Sequence, residues 1–566
     1  MIESDGNTNH GNSVTRTGAT FNSKAKVSEL DGTAFQRKHL RVIMLGAGIS
    51  GIQFAHDVET RMSNIELDIY DKNAELGGTW FENRYPGCAC DIPAHTYHYS
   101  WAPNPRWTKF YAPAPEIRQY LNNVVDAHGL RKYMHFKHRA TSAHWLESSS
   151  TWRVSFEVTD SDGNITAMTR ESDVLVMGVG TLNNWKYPDI PGVTKFQGQL
   201  MHTANWDESV DLANKRIAVI GNGASAVQCV AAVQPGASKL VNYMRTASWM
   251  IPHLFSDGAV QKDYSREDWE EFEKNPEGYL AYRLQLEKTL GGGFKALYSG
   301  SNAQKGLEAT TMRHMKNMIA DTRLLNILTP KFEVGCRRFT PGDHYLHALQ
   351  QDNTSVISDS IIAITERGIM DASGTVTEFD IIVCATGFDV TFEPRLEVIG
   401  QGGYSLSENW GKDKPTESYM GAVVARFPNM CVFTPPITPV IGSAFPGIEA
   451  TSDYISRLLD RLQTDNLDSL VVKETAQSQF NKWAQEQLQK MAFAGSCKSW
   501  YKNSAGKVFV PWPGTIYHFL QATSLVRWED FDFKWSDPAN KYASFGNGIT
   551  KEGFAFESPP WLRGQS

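Results

Sequence analysis

The chain has 566 residues, of which 41% are hydrophobic and 21% charged, and its formal net charge is −7. This length allows about three or four domains of roughly 150 residues, and the composition is that of a folded globular chain. The charges are spread along the chain without a basic block, so the sequence argues against a nucleic acid partner. Composition predicts no particular oligomeric state.

The N-terminal segment 1–36 is rich in Ser, Thr, Asn and Gly, so we predict a disordered polar tail. It lacks the apolar core of a signal peptide, and no run in the chain approaches the about 18 apolar residues that a membrane helix needs. The seven cysteines lack the spacing of a disulfide framework or a zinc site, which favours a reducing compartment. We therefore predict a cytoplasmic protein with no membrane span and no metal site. Small-residue packing explains Cys88 and Cys90, which are separated by one residue, better than a redox dithiol does.

The first nucleotide-binding signal begins at residue 40. Leu40–Leu45 is a short, mostly apolar run typical of a buried parallel strand, and Gly46, Gly48 and Gly51 follow it. Apolar residues then recur at helical spacing, and a second short strand ends at Asp71. Glycines let a pyrophosphate approach a helix N-terminus, while an acid at this place accepts hydrogen bonds from ribose hydroxyls. A glycine turn alone is weak evidence, but strand, helix and acid together predict a dinucleotide-binding unit.

A second unit of the same kind begins at residue 216. The apolar run Arg216–Ile220 leads into a glycine turn that opens another helix. The turn contributes the candidate phosphate-binding residues Gly221, Gly223 and Ser225. At the end of the next strand the acid is missing and Arg245 and Thr246 stand in its place, which favours the 2′-phosphate of NADP over NAD. The alternative is a solvated arginine at a strand end. An acid in the first unit and an arginine in the second suggest FAD in the first and NADPH in the second.

The remaining pattern completes the domain organisation. Residues 263–329 show helical periodicity and predict a helical insertion, and strand signals resume from Ser355 onwards. We predict an α/β fold with two Rossmann-like dinucleotide-binding domains. The predicted FAD-binding domain is discontinuous and comprises 37–200 and 388–566, while the predicted NADP-binding domain comprises 208–387 and contains the insertion.

The linker between the two units carries the most specific string. It places Phe196, Gly198, His202, Trp206 and Asp207 in the pattern FxGxxxHxxxW(P/D), which matches at every defined position. This string resembles the fingerprint of type I Baeyer–Villiger monooxygenases. Its Trp-Asp end differs from the related N- and S-oxygenating flavin monooxygenases, where Tyr or Phe is usual. The resemblance makes the histidine and the tryptophan candidate catalytic residues that act through positioning.

Further motifs extend the resemblance over nearly the whole chain, from about Leu40 to Trp535. They are Gly77-Gly78-Thr79-Trp80, Arg84-Tyr85-Pro86-Gly87-Cys88-Ala89-Cys90-Asp91, Gly335-Cys336-Arg337-Arg338 and Ser499-Trp500. The resemblance implies that Gly78, Thr79 and Trp80 lie over the flavin and that Trp500 belongs to a loop that covers the nicotinamide. It also implies that Asp91 is the active-site aspartate, in contact with the flavin cofactor, and that Arg338 is the catalytic arginine. Arg337 then falls near the NADP phosphate, although the two arginines are adjacent and one motif match distinguishes them.

The resemblance implies a reaction as well as a fold. NADPH reduces FAD, the reduced flavin captures dioxygen as a C4a-peroxide, and this peroxide attacks a ketone to give an ester or lactone. A permanently charged guanidinium suits the stabilisation of the peroxide and of the oxyanion formed from the ketone. Within this fold the alternative is an N- or S-oxygenase, which needs no such arginine. The alternative from a different functional class is a protein that binds FAD and NADP but catalyses no reaction.

The substrate follows from the sequence only as a class. The partners implied are a small-molecule ketone and dioxygen. The polar tail and the Arg337-Arg338 pair resemble fungal members of the family, some of which act in secondary metabolism. A secondary-metabolite ketone is therefore the predicted substrate class.

Overall fold

The computed structural model describes residues 32–252 and 262–550, which belong to two units. The small unit joins the residues up to Gln36 with those from Tyr542 onwards, and the large unit is Arg37–Lys541. In the small unit the ring centroids of Phe35 and Phe545 lie 5.4 Å apart. Most of the predicted polar tail, residues 1–31, lies outside the described residues.

The secondary structure of the large unit alternates strands and helices. In chain order its strands are β1 (Leu40–Leu45), β2 (Ile65–Tyr70), β3 (Met134–His135), β4 (His138–Leu146), β5 (Thr151–Thr159), β6 (Ile165–Ser172), β7 (Val174–Met177), β8 (Gln199–His202), β9 (Arg216–Ile220), β10 (Lys239–Tyr243), β11 (Met250–Ile251), β12 (Thr340–Pro341), β13 (Thr354–Ile357), β14 (Ile361–Ile364), β15 (Gly368–Asp371), β16 (Val376–Glu378), β17 (Ile381–Cys384), β18 (Glu397–Ile399), β19 (Met430–Val432), β20 (Leu467–Val472) and β21 (Phe531–Trp535). Its α-helices are α1 (Ile49–Arg61), α2 (Thr79–Glu82), α3 (Ala114–Ala127), α4 (Ala224–Val233), α5 (Arg266–Lys274), α6 (Pro276–Gly292), α7 (Asn302–Met318), α8 (Thr322–Leu328), α9 (Asp343–Ala348), α10 (Leu406–Asn409), α11 (Phe445–Thr464), α12 (Glu474–Leu488) and α13 (Ile516–Thr523).

The first parallel sheet has the strand order β19-β7-β1-β2-β3. Its central strand β1 is apolar throughout most of its length because both faces are covered. Val42 and Met44 pack into one core with α1 and α11, whereas Ile43 and Leu45 pack into another with β4 and β5. The antiparallel strands β4, β5 and β6 form a separate sheet that β18 extends.

The second parallel sheet has the strand order β13-β10-β9-β17-β8. Ile217 and Val219 of β9 pack in the core that contains α4, and Ala218 lies in the cluster on the opposite face. The two parallel sheets confirm the predicted α/β fold class with two nucleotide-binding units. The edge strand β8 pairs His202 with Cys384 of β17, so part of the predicted linker is a strand of this sheet. This strand precedes residue 208, where the sequence predicted the second domain to begin.

Helices α5, α6, α7 and α8 occupy the segment for which the sequence predicts a helical insertion. Leu286 of α6 packs in the core of the first sheet, whereas Met315 of α7 and Leu328 of α8 pack in the core of the second. The insertion therefore contacts both nucleotide-binding units and leads directly into Arg337 and Arg338. Among the described helices, none has the length and apolar character that a membrane crossing requires.

Candidate active site between the two glycine turns

Both glycine turns open into one cleft of about 1790 Å³. Each turn follows the carboxyl end of a central parallel strand, which is where open α/β sheets bind their ligands. The cleft is large enough for more than one cofactor, since a typical ligand pocket measures about 300 to 1,000 Å³. Most of the predicted site residues line it, namely Gly46, Gly48, Asp71, Gly78, Thr79, Trp80, Asp91, Gly221, Gly223, Ser225, Arg245, Thr246, Arg337, Arg338 and Trp500. Gly51, His202 and Trp206 do not line it.

The first turn is built by close backbone contacts that only glycine permits. Gly46 has a φ of +105°, and a Cβ atom on it would lie 2.4 Å from the carbonyl oxygen of Gly178. A Cβ atom on Gly51 would lie 2.2 Å from the Gly46 carbonyl oxygen, so this glycine packs the helix rather than facing the cleft. Gly78 approaches the same turn, since its Cβ atom would lie 3.1 Å from the Cα atom of Gly48. The N-terminus of α1 is thus open to a pyrophosphate.

Asp71 lies at the end of β2 and has two backbone partners. Its Oδ2 accepts a hydrogen bond from the Ala47 N–H at 2.7 Å, and its Oδ1 accepts one from the Asn73 N–H at 2.8 Å. Burial raises the pKa of this carboxyl group above its ordinary value, and the two backbone donors oppose that rise. Asp71 therefore holds the glycine turn in place while it lines the cleft.

The second glycine turn also depends on a close backbone contact at its first glycine, but its second glycine is less crowded than that of the first turn. Gly221 has a φ of +131°, and a Cβ atom on it would lie 2.3 Å from the carbonyl oxygen of Ala385. A Cβ atom on Gly223 would meet nothing within 4 Å, so this position leaves room for a phosphate against the start of α4. The turn is tied to the end of β10 because Ser248 Oγ donates to the Asn222 carbonyl oxygen at 2.9 Å.

Two guanidinium groups face this second turn. Arg245 and Thr246 are exposed at the end of β10. Arg337 lies over the ring of Phe332 at 4.8 Å and donates through Nε to the Lys498 carbonyl oxygen at 2.8 Å. Burial and the positive charge of Arg245 lower the pKa of Arg337. Neither guanidinium forms an ion pair with a carboxylate of the described residues, so together they suit a doubly charged anion such as a 2′-phosphate.

Arg338 and Asp91 form the only bidentate ion pair among the described residues that line the cleft. Arg338 Nε donates to Asp91 Oδ2 at 2.7 Å and Nη2 donates to Oδ1 at 2.8 Å. Arg338 Nη1 donates to the Val440 carbonyl oxygen at 2.9 Å. The side chain of Arg338 is 32% exposed and that of Asp91 is 19% exposed, so a molecule bound in the cleft can reach the pair.

The electrostatics of this pair keep both groups charged. The carboxylate of Asp91 raises the pKa of Arg338 further above its already high ordinary value. Burial by itself raises the pKa of Asp91, but the charge and hydrogen bonds of Arg338 outweigh it and hold this pKa below its ordinary value. The guanidinium is therefore a permanent positive charge whose plane is set by a carboxylate.

Asp91 is positioned by contacts between the two nucleotide-binding units. The segment before it packs on α4, where the hydroxyl of Tyr85 donates to Gln228 Oε1 at 2.7 Å. Gln228 Nε2 donates to the Ala89 carbonyl oxygen at 3.0 Å. A Cβ atom on Gly87 would lie 2.7 Å from the Gln228 carbonyl oxygen, which explains the glycine. The relative placement of the two sheets thus determines where the carboxylate lies.

The loop around Trp500 also reaches the cleft, and it contains a disulfide that the sequence analysis did not predict. Trp500 lines the cleft and packs against Tyr501 with ring centroids 4.5 Å apart. Cys497, which precedes it, forms a disulfide with Cys336. The cysteine spacing did not indicate this bond, because the partners are separated by 161 residues and meet only through tertiary folding. Cys88 and Cys90 are buried free cysteines, as the packing interpretation predicts.

His202 and Trp206 lie away from the cleft. The imidazole of His202 is fully buried beside the stacked ring of Trp185, with ring centroids 4.9 Å apart, and its Nδ1 accepts from the Ala204 N–H at 3.1 Å. Burial lowers the pKa of His202 to about 4. Trp206 is half-buried against the core of the second sheet. Neither residue is among those that line the cleft.

The buried neutral His202 predicts a loss of stability in acid. Its pKa is about 4 in the folded chain, against an ordinary value of 6.5, so below pH 6.5 the unfolded chain takes up a proton that the folded chain refuses. The free energy of unfolding then falls by up to about 1.4 kcal/mol per pH unit between the two values. We expect the thermal midpoint of His202→Gln to fall less between pH 7 and pH 5 than that of the wild type.

The exposed His39 provides the matched control for this measurement. His39→Gln should keep the acid dependence of the wild type. An equal loss of midpoint in His202→Gln and the wild type would show that the imidazole of His202 is protonated in the folded chain.

Several site features were absent from the sequence interpretation. No sequence motif marks the Val440 carbonyl oxygen or the Gln228 amide. A backbone carbonyl is present at every residue, and a glutamine on a helix carries no sign of its tertiary partner. The Cys336–Cys497 bond did have a signal, because Cys336 lies inside one motif assigned to the cleft and Cys497 lies two residues before another. Motifs that converge on one site bring their cysteines together.

Comparison with known proteins agrees with this geometry. Residues 38–275 match the family model described as flavin-binding monooxygenase-like. The FAD-binding monooxygenase moxY of Dothistroma septosporum is 38% identical over 519 residues, which cover 91% of this chain and 82% of that protein. A Baeyer–Villiger monooxygenase of Pseudomonas aeruginosa is 33% identical over 86% of this chain and 90% of its own length.

A solved structure shows the same fold. The crystal structure of cyclohexanone monooxygenase from Rhodococcus bound to NADP+ superposes with a TM-score of 0.77 at 23% identity. The match covers 88% of this chain and 100% of that one. At this identity the likeness concerns the arrangement of the two nucleotide-binding units.

Proposed function

The chain belongs to the family of FAD-binding monooxygenases that includes the Baeyer–Villiger monooxygenases, and we propose that it uses NADPH and dioxygen to convert a ketone into an ester or lactone. The observation that carries this proposal is the Arg338–Asp91 ion pair in the cleft between two glycine turns. An N- or S-oxygenase has no need of a charged guanidinium at this place, and a protein that only binds nucleotides has none either.

The residues present fit both cofactors. The first turn and the Gly78 segment would hold FAD, with Asp71 toward its ribose, and the second turn would hold NADPH, with Arg245 and Arg337 toward its 2′-phosphate. When bound, FAD accepts a hydride from NADPH and activates dioxygen, which is chemistry that protein side chains lack. The chain supplies binding, orientation and charge.

Arg338 is the residue we propose as catalytic. A ketone that is attacked by an oxygen nucleophile develops negative charge on its carbonyl oxygen, and a fixed guanidinium stabilises that charge without reorganising. Asp91 and the Val440 carbonyl oxygen occupy three of the five donor N–H groups of Arg338, whose side chain lines the cleft. Asp91 thus acts on the reaction mainly through the arginine, although it also lines the cleft.

Positioning roles are proposed for residues farther from the reacting atoms. His202 and Trp206 would hold the junction of the two units, and Trp500 would cover the coenzyme from its loop. We also propose that the predicted FAD-binding and NADP-binding domains correspond to the two sheets, with β8 counted to the second. Its pairing with β17 supports this division.

The substrate class and location are further parts of the proposal. The fungal relative named above supports a ketone of secondary metabolism, and the partners are that ketone and dioxygen. The cytoplasm remains our proposed location, but the Cys336–Cys497 disulfide removes the support that cysteine spacing gave to it. The predicted absence of a nucleic acid partner stays a prediction.

The test of this function is coupled product formation. Purified protein with FAD should consume dioxygen and NADPH in the presence of a ketone, and the product mass should exceed that of the ketone by one oxygen atom. A panel of cyclic, linear and bulky ketones, with an amine and a sulfide alongside, identifies the class. Oxidation of the amine or sulfide but of no ketone would contradict the proposal, as would NADPH oxidation without any oxygenated product.

Coenzyme choice provides a second prediction. A charge-assisted hydrogen bond contributes roughly 1.5 to 3 kcal/mol, and the exposure of Arg245 favours the lower end, which corresponds to about tenfold in binding. We expect Arg245→Ala to raise the apparent KM for NADPH about tenfold and to leave that for NADH unchanged. Steady-state kinetics with both coenzymes measures this.

The exposed Arg266 of α5 offers the matched control. Arg266→Ala removes the same charge without altering coenzyme preference. Equal effects of Arg245→Ala on NADPH and NADH would remove Arg245 from the 2′-phosphate site.

A further inference from the structure

The Cys336–Cys497 disulfide joins two segments that both reach the cleft. Cys336 directly precedes Arg337 and Arg338, and Cys497 begins the stretch that leads to Trp500. The Cα atoms of the two cysteines are 6.1 Å apart, across a sequence separation of 161 residues. A single covalent bond thus connects the arginine pair to the loop of the tryptophan.

We propose that this disulfide is a redox-controlled tether that holds the loop 497–500 closed on the cleft and that a dithiol reductant releases it. The loop would then exchange the nicotinamide coenzyme faster. The coenzyme part of this inference rests on the proposed function. The tether itself rests on the contacts of the described residues.

The contacts between the loop and the arginine segment are few apart from the disulfide. The Cys497 N–H donates to Cys336 Sγ at 3.3 Å, and Arg337 Nε donates to the Lys498 carbonyl oxygen at 2.8 Å. The Ser496 N–H donates to Glu333 Oε2 at 3.0 Å. These are single hydrogen bonds at a partly exposed edge, so the covalent bond is the main restraint on residues 497–500. The next residue, Tyr501, is fully buried in a hydrophobic core and anchors the far end of this loop.

Lys502 makes the bond chemically reactive. Its Nζ lies 3.7 Å from Cys336 Sγ and also contacts the carbonyl oxygens of Gly495 and Cys497. A positive charge beside a sulfur atom stabilises the thiolate that leaves when a disulfide is cleaved. Cys497 is 6% exposed and Cys336 is fully buried, so the attack falls on Cys497 and the charge collects on Cys336.

Reduction of the disulfide takes place in two exchange steps. A thiolate of the dithiol bonds to Cys497 Sγ, the S–S bond breaks and its electron pair goes to Cys336 Sγ. The second thiolate of the reductant then bonds to the first, releases Cys497 and leaves the reductant as a disulfide. The two protons of the reductant end on Cys336 and Cys497. Hydrogen peroxide reverses the change, since one peroxide and two thiols give one disulfide and two water molecules.

The other five cysteines are free, so they offer a reductant no S–S bond to cleave. Cys88, Cys90, Cys229, Cys384 and Cys431 are buried and free. Burial raises the pKa of the Cys88 thiol to about 11 and that of the other four to about 12. A buried thiol with a raised pKa forms little thiolate at neutral pH and therefore reacts slowly. Cleavage by a dithiol is therefore confined to the Cys336–Cys497 bond.

The first experiment counts thiols and follows the loop without any substrate. Oxidised protein, denatured, should titrate five of its seven cysteines, and protein treated with dithiothreitol should titrate seven. In native protein, trypsin cleavage after Lys498, identified by peptide mass, should become roughly tenfold faster or more on reduction, because cleavage follows the population of the open loop. Dissociation of NADP+ from the FAD-loaded protein, measured by dilution, should accelerate with it.

Variants separate the tether from a general effect of the reductant. Cys336→Ser with Cys497→Ser should behave as the reduced wild type and should not respond to dithiothreitol. Cys431→Ala removes a buried thiol of the first sheet and should keep the full response. If the double variant does not fold, the reduced and oxidised wild type still provide the comparison.

The outcomes distinguish this inference from the proposed function. Seven titratable thiols after treatment with an oxidant, or cleavage at Lys498 that is the same in both redox states, would overturn the tether. Altered cleavage with unaltered NADP+ dissociation would overturn its effect on the coenzyme. If the loop responds but no ketone is oxygenated, the proposed function fails and the tether stands.

Discussion

Arg338→Ala is expected to oxidise NADPH but to form almost no ester. Removing one fixed charge that stabilises a developing oxyanion costs about 3 kcal/mol or more, which is about a hundredfold in rate. Hydride transfer between the two cofactors does not use this charge. NADPH consumption should therefore continue while hydrogen peroxide replaces the ester, and the measurement is ester and peroxide formed per NADPH consumed.

The neighbouring Arg337 serves as the matched control for this experiment. It has the same chemistry, yet its Nε bonds the Lys498 carbonyl oxygen and its charge faces Arg245 rather than Asp91. Arg337→Ala should raise the apparent KM for NADPH and leave the yield of ester per NADPH close to that of the wild type. The opposite result, with ester lost in Arg337→Ala and retained in Arg338→Ala, would show that the catalytic charge is Arg337.

The fold was predictable wherever burial leaves a continuous apolar run. The predicted strands Leu40–Leu45 and Arg216–Ile220 agree with β1 and β9 because a central parallel strand is covered on both faces. The antiparallel strands β4 and β5 were not predicted. Trp152, Val154 and Phe156 are buried at alternating positions, so the period of two was present in the sequence. The short strand β8 had no such signal, since its place depends on pairing with β17.

The site was predictable where a motif couples residue type to spacing. Glycines at fixed intervals after a strand mark Gly46 and Gly221 because their backbone contacts exclude a side chain. The Arg338–Asp91 pair was inferred from resemblance, and the two side chains are in bidentate contact in the structure. Contacts that depend on the packing of whole elements, such as Gln228 with Ala89, cannot be read from local pattern. A motif can also mislead about position. His202 belongs to the most specific motif of the sequence, yet its side chain is fully buried and does not line the cleft.

Asp91→Asn tests whether the carboxylate acts through the arginine. The amide introduced by this substitution would present an N–H group to guanidinium donors and would leave the charge of Arg338 without its partner. Truncating one partner of a buried pair costs about 3 to 5 kcal/mol, and the partial exposure of this pair favours about 2 to 3 kcal/mol, or roughly thirty- to a hundredfold in ester formation. The carboxylate, whose pKa is held below its ordinary value, stays ionised at neutral pH. The ion pair of Asp91 with Arg338 therefore contributes its full stability above about pH 4, where the aspartate of the unfolded chain is ionised as well. This stability is lost only as the pH falls through the lower pKa of the folded chain.

The double variant makes this prediction sharp. If Asp91 affects the reaction mainly by orienting the guanidinium, then Asp91→Asn combined with Arg338→Ala should form ester no more slowly than Arg338→Ala alone, because nothing is left to orient. Additive losses would instead mean that the carboxylate has a direct role toward substrate or flavin. Asp91→Glu, which keeps the charge and moves it by one methylene group, should recover part of the ester yield. A substitution that acted only by loosening the fold would show no such recovery, and thermal midpoints of all four proteins would reveal it.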